Sequence, residues 1–264
     1  MDFGSIIGLV MGIGLILLGN AEEGGKLESL VQPTAAMIVL GGTVGACVLQ
    51  FPMKVTLSAF KGFVSVFINK KANPTAVILQ LVEYAKRSRR EGILCLEREI
   101  ETIKDPFFAK ALRMAVDGLE PKQLIETMET ELETLEHEGE GPIKFFEAAG
   151  GYAPTMGIIG AVLGLILVMS NLAEPSKLGA GIATAFVATV YGVGSANLLF
   201  LPFANKIKAN SHDSLRLRQI VLKGVLLIQE GVNHSIIEEQ LKSFLDEKER
   251  KKFDVARDAA KAAA

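Results

Sequence analysis

YAPTMGIIGAVLGLILVMSN, Tyr152–Asn171, and LGAGIATAFVATVYGVGSANLLFLPF, Leu178–Phe203, decide the fold of this chain. Neither run holds an Asp, Glu, Lys, Arg or His. At about 1.5 Å of rise per residue, about 20 helical residues reach about 30 Å, the thickness of a bilayer's hydrocarbon core. The polar link between them, Ala173-Glu174-Pro175-Ser176-Lys177, is short enough to force two antiparallel helices. The runs are not uniformly apolar. They carry Pro154, Thr155, Ser170, Thr184, Thr189, Tyr191, Ser195 and Asn197, with many glycines. Small and hydroxyl residues in a spanning helix point to close helix packing or a polar path rather than simple anchoring.

Outward from this pair, the 264-residue chain is 49% hydrophobic, and its charges crowd into two blocks that leave four long windows nearly empty of them. That segregation predicts an all-α, multi-pass membrane protein with four transmembrane helices in two hairpins. Residues 1–51 form the first hairpin, with spans over 3–19 and 33–51. Gly4, Gly8 and Gly12 fall four apart on one face of the first span, and Gly41 and Gly45 repeat the spacing in the second. Pro33 suits the first turn of a helix. No basic residue precedes the first apolar run, so it reads as a retained span and not as a cleaved leader.

Residues 52–147 read as a large helical insertion. Apolar residues at 77, 78, 81, 82 and 85 have a helical period, and Pro106 and Pro121 mark helix starts. Glu126, Glu129, Glu131, Glu133, Glu136 and Glu138 read as a solvated helix face, which Gly139-Glu140-Gly141-Pro142 is expected to break. Residues 148–203 hold the second hairpin, with spans over 152–171 and 178–203; Pro202 is expected to kink or end the last span. Residues 204–264 form a helical tail, expected to fray after Glu247. The insertion carries 14 Lys and Arg and the tail 12, against one in each short link. The positive-inside bias therefore places insertion, tail and both termini in the cytosol.

The chemistry is bounded by what is missing from the spans. A hydroxyl does not titrate near neutral pH, so it cannot carry a proton as a carboxylate does. If the chain conducts protons, another chain supplies the acid. Thr155, Thr184, Thr189 and Asn197 then offer hydrogen bonds along the path; on the other reading, each threonine bonds back to its own i−4 carbonyl. The basic cluster Lys86-Arg87-Ser88-Arg89-Arg90, with Glu97 seven residues beyond Arg90, reads either as a solvated or lipid-facing patch or as a charge-steered docking surface. Cys47 and Cys95 lie in different environments and predict no disulfide, and His137, His212 and His234 are scattered without metal-ligand spacing. No catalytic residue, cofactor, metal or nucleic-acid partner is expected. An ATP-binding loop is absent, and no inverted repeat marks a solute transporter.

Ala153-Pro154-Thr155-Met156-Gly157-Ile158-Ile159-Gly160-Ala161-Val162-Leu163-Gly164-Leu165 resembles the third-span signature of the MotA/PomA flagellar stator subunits. Ala183–Asn197, with Thr189-Val190-Tyr191-Gly192, is similar to their fourth span. Arg89-Arg90-Glu91-Gly92-Ile93-Leu94-Cys95-Leu96-Glu97 resembles their cytoplasmic rotor-contacting motif, and Val39-Leu40-Gly41-Gly42-Thr43 fits their opening hairpin. The resemblance implies a homo-oligomeric ring, a pentamer in this family. The ring surrounds paired helices of a single-span MotB-like subunit, which carries the ion-binding Asp and a peptidoglycan-binding domain. It implies an ion channel of the bacterial inner membrane, within membrane lipid, that turns ion-motive force into torque on the rotor protein FliG. By the same resemblance, Arg89, Arg90 and Glu97 contact the rotor, Pro154 and Pro202 couple ion flow to movement, and Thr189, Thr155, Ala161 and Tyr191 face the ion path and the partner helices. Ala161 stands where sodium-driven relatives carry a threonine; a methyl cannot ligate sodium, which favours protons over a sodium-driven PomA-like motor. The related ExbB/TolQ energisers of outer-membrane processes are the other alternative. Their three spans and external N-terminus do not match the additional N-terminal hairpin here.

Overall fold

In the computed structural model, which describes residues 3–67 and 73–263, the chain is helical throughout, with no β-strand among the described residues. It divides into two compact units, one of residues 1–70 with 139–210 and one of residues 71–138 with 211–264.

The first unit holds the apolar helices. Helix α1, Phe3–Glu22, buries none of its residues within the chain. Gly24 turns the backbone at φ +81°, a left-handed conformation that only glycine adopts freely, and a 3-10 turn follows over Leu27–Leu30. The second span is assembled from α2, Pro33–Ala36, a π-helical turn, Met37–Gly41, and α3, Gly42–Gln50. Pro33 opens it as expected, since a first-turn N–H has no intrahelical partner to lose. Helix α4, Met53–Phe67, follows, and the unit is completed by parts of α8, Pro121–Ser170, α9, Pro175–Ser195, and α10, Leu201–Gln229. Among the described residues, four helical stretches are long and apolar enough to cross a membrane: Phe3–Glu22, Leu27–Gln50, Pro121–Ser170 and Leu178–Gln229. An aromatic knot closes one end of this unit. Phe203 stands edge-on to Phe63 at 5.0 Å, Phe67 at 5.8 Å and Phe146 at 6.0 Å, the arrangement that ring quadrupoles favour.

The second unit is built around a buried apolar core. Helix α5, Pro74–Glu91, is capped by Asn73, whose side chain accepts from the Ala76 N–H. Gly92 at φ +82° ends it, and a 3-10 turn, Ile93–Leu96, leads into the short α6, Glu97–Ile100. Asp105 caps α7, Pro106–Val116, by accepting from the Phe108 N–H at 2.9 Å. These helices pack with the first part of α8, the second part of α10, α11, His234–Lys242, and α12, Glu247–Ala263, around Ile78, Leu81, Leu112, Met128, Ile220 and Phe253.

Two local expectations, at Gly139–Pro142 and in the tail, do not hold, and of the two outcomes open for Pro202 one is excluded. Gly139–Pro142 does not break the helix; α8 runs through it. Packing overrides propensity there: Pro142 is buried, the Gly141 backbone lies against the Val55 side chain, and Gly62 lies against Pro142. Pro202 does not end the last span. A π turn over Ala196–Phe200 sits just ahead of it and takes up the backbone mismatch that a missing N–H creates. The tail after Glu247 does not fray, because α12 seats Phe253 in the core and is pinned by ion pairs, Arg216 to Glu249 at 2.8 Å and Arg257 to Glu238 at 3.1 Å. The fourth apolar helix also starts earlier than its apolar run, at Pro175, for the same reason that Pro33 opens the second.

Candidate functional site

The hairpin α8–α9 is held by backbone contact. A methyl built on Gly192 would stand 2.6 Å from the Ala153 carbonyl oxygen and 3.0 Å from the Gly157 Cα. One built on Gly157 would meet the Ala188 oxygen at 2.9 Å, and one on Gly164 the Gly181 oxygen at 2.8 Å. Gly160 faces the Ala188 methyl. The seam therefore runs through 157, 160 and 164 on α8 and 181, 185, 188 and 192 on α9, positions three or four apart that share one helix face. The second span crosses the same seam: Gly42 lies against Met156, and Ile38 reaches Gly160. Gly41 and Gly45, whose spacing suggested a contact, have open space around them within this chain.

This seam fixes where each hydroxyl points. Thr155 lies two positions past the seam residue Ala153, about 200° around the axis, and is exposed. Thr189 is exposed on one flank of α9, in line with Ile182, Phe186, Val193 and Asn197. Ala161 is half-buried beside the seam. Each polar side chain bonds to its own helix: Thr155 Oγ1 donates to the Tyr152 carbonyl at 2.7 Å, Thr184 to Ala180 at 2.9 Å, Thr189 to Ala185 at 3.3 Å, and Asn197 Nδ2 to Val193 at 2.9 Å. A hydroxyl that donates this way keeps its lone pairs, so each still offers an acceptor.

Tyr191 is not brought together with Thr189. Two positions apart on a helix is about 200° around the axis, and the Tyr191 side chain leaves from the opposite flank. Its hydroxyl donates to the Leu30 carbonyl at 2.6 Å and accepts from the Gln32 N–H at 3.2 Å. A second tyrosine, Tyr152, donates to Gln50 Oε1 at 2.9 Å at the far end of the second span. The sequence signal for either bond was only an amphipathic ring inside an apolar run. Pro154 lies inside α8, leaving the Gly150 carbonyl without its i+4 donor, and Pro202 is exposed just past the π turn.

In the second unit, Gly92 divides the basic end of α5 from the start of α6. Arg89, Arg90 and Glu97 are all exposed and make no ion pair with any described residue. Arg87 turns inward instead, with Nη1 2.6 Å from Glu99 Oε1, and that bond raises its already high pKa. Burial pushes the Cys95 thiol up, with Glu91 adding to the shift and Arg87 opposing it, so the group is held as a thiol. Among the described residues no group of His, Cys, Asp and Glu is arranged to hold a metal ion.

Comparison with known proteins agrees with this geometry. Residues 99–220 match the MotA/TolQ/ExbB proton channel family, and residues 6–92 match the motility protein A N-terminal family. The chain is 37% identical over 254 residues to motility protein A of Bacillus subtilis (strain 168), covering 96% of this chain and 94% of that one. Its fold superposes on the structure of C. jejuni MotAB with a TM-score of 0.90 at 33% identity, over 94% of this chain and 97% of that one. It superposes on the flagellar MotAB stator complex from Bacillus subtilis with a TM-score of 0.88 at 36% identity, over 95% and 99%. With four apolar helices and this kinship it is a multi-pass protein of the inner membrane. Both family matches and the near full-length likeness place the chain in the MotA/TolQ/ExbB proton channel family, among its motility protein A members.

Proposed function

We propose that this chain is the ring-forming stator subunit of a flagellar motor and conducts ions, protons by the Ala161 criterion, together with a MotB-like partner. The observation that carries this is the α8–α9 hairpin: it is packed through glycines, holds no Asp, Glu, Lys, Arg or His in its apolar runs, and leaves Thr189 exposed on one flank. A path lined by hydroxyls and lacking an acid needs a carboxylate from elsewhere, and a partner helix bearing one supplies it. Thr189 and Thr155 offer acceptors along that path, with the Ala161 methyl leaving no sodium ligand beside it. Pro154 and Pro202 then weaken the helix ladder where movement is needed. Both termini and the second unit face the cytosol, and Arg89, Arg90 and Glu97 push the rotor protein FliG through charge. The chain performs no catalysis of its own.

The test is ion flux into vesicles that hold either the purified chain or its complex with the partner. The chain alone is expected to pass nothing. In the complex, Thr189→Val is expected to cut flux at least tenfold with assembly intact. Its hydroxyl bond to Ala185 is worth only about 1 kcal/mol, too little to unfold the helix. Conduction by the chain alone, or unchanged flux in the variant, refutes the reading.

A further inference from the structure

Tyr191 belongs to the ion-path helix, yet its hydroxyl is spent on the backbone of the first hairpin. The link it reaches is one where the backbone cannot satisfy itself. Pro33 has no N–H, and neither the Leu30 carbonyl nor the Gln32 N–H takes part in a backbone bond among the described residues. Helix Cβ atoms tilt toward the helix N-terminus, so the Tyr191 side chain points toward the α9 end that starts at Pro175. A phenol is donor and acceptor at once, so one side chain satisfies both orphaned groups. The ring below it rests on Ala35, Val39, Val187 and Ala188, so the hydroxyl is aimed by packing and not by a free rotamer.

Resting on the stator reading above, we propose that Tyr191 is a positioning residue of the ion path: it latches α9 to the Leu30–Gln32 link, so that the second span and the ion-path helix move as one body. Thr189, on the opposite flank, is left free to serve the path. At the other end of the second span the Tyr152 bond to Gln50 ties the same span to α8, so the two helices of the second hairpin each hold it by one phenol.

The experiment is Tyr191→Phe in the assembled complex, with Thr189→Val as the contrast, read by amide hydrogen exchange at Gln32 and by ion flux per assembled complex. Phe keeps the ring and its packing and removes only the hydroxyl. Exchange at Gln32 is expected to rise about tenfold in Tyr191→Phe while staying at the wild-type rate in Thr189→Val, and flux per complex is expected to fall at least threefold. Unchanged exchange at Gln32 overturns the latch. Faster exchange with wild-type flux per complex overturns the positioning role. If no version of the complex conducts ions, the stator reading has failed while the exchange rates still report on the latch. Should Tyr191→Phe assemble poorly, fluorotyrosine at 191 keeps the ring, makes the hydroxyl a stronger donor to the Leu30 carbonyl and makes its oxygen a weaker acceptor from the Gln32 N–H. Exchange at Gln32 is then expected to rise above the wild-type rate, and exchange at the wild-type rate counts against the latch.

Discussion

Gly192→Ala and Gly194→Ala are the same chemical change two residues apart on one helix, and the seam predicts opposite outcomes. At 194 an added methyl meets nothing within 4 Å. Replacing glycine by alanine at such a helical position stabilises by about 1 kcal/mol, because alanine restricts the unfolded backbone. At 192 the same methyl would stand 2.6 Å from the Ala153 oxygen and 3.0 Å from the Gly157 Cα. Both obstacles are backbone atoms of the facing helix, so no side chain can swing aside and the helices must separate. Overpacking of this kind costs about 1–3 kcal/mol. The two variants should therefore differ by about 2–4 kcal/mol, which for a chain of this size is on the order of 10 °C in melting temperature. Thermal unfolding of the detergent-solubilised complex, followed by circular dichroism, measures the gap. Gly157→Ala should behave like Gly192→Ala, and the double variant should lose less than the sum, since one separation relieves both clashes. Coincident melting of the 192 and 194 variants would refute a glycine-packed seam.

Arg90→Glu should lower motor torque several-fold, while membrane insertion and stability stay within about 0.5 kcal/mol of wild type, because Arg90 is exposed and makes no ion pair with a described residue; normal swimming in that variant counts against rotor contact. Arg216→Ala should destabilise the second unit by about 1–3 kcal/mol, since it strips the two-pronged bond at 2.8 and 3.1 Å from a half-buried Glu249; proteolysis of the tail reads the change. Asp254 is held below its ordinary value of 3.8 chiefly by its hydrogen bond from Lys242. A depressed carboxylate pKa contributes stability that is complete above the unfolded value and lost as pH falls through the folded one. The stability difference between wild type and Asp254→Asn should therefore persist at neutral pH and vanish only below about pH 4, which a pH series of melting curves checks.

The spans were legible because the signal is coarse. A window without charge and long enough for the bilayer admits few structures, and Pro33 and Pro106 open helices in the structure where the pattern put them. What misled was local propensity read without its packing. Gly139–Pro142 looks like a break, but Gly141 and Pro142 are the small and rigid residues that let α4 approach α8 closely. Spacing among glycines was similarly blind to partners. Gly8, Gly41 and Gly45 recur at helical spacing much as Gly157, Gly160 and Gly164 do, yet they have nothing within 4 Å in this chain, whereas Gly157 and Gly164 meet the α9 backbone and Gly160 meets the Ala188 methyl. The difference lies in what stands opposite, which one helix cannot disclose.

Thr189 and Tyr191 make the sharpest case of that limit. In the sequence they are two letters of one motif, both hydroxyl-bearing and both set in an apolar run, so pattern alone assigns them together. The helix separates them by more than half a turn. Once Gly192 is pressed against Ala153 and Gly157, the orientation of α9 has no freedom left, and the two hydroxyls must look to opposite sides. One finds the Leu30–Gln32 backbone and is consumed by it; the other bonds its own helix and keeps an exposed face. The division of labour between the two residues follows from the glycine, which carries no functional group at all. Widening that seam should therefore disturb Tyr191 and Thr189 together, and in Gly192→Ala the exchange at Gln32 should rise along with the loss of flux.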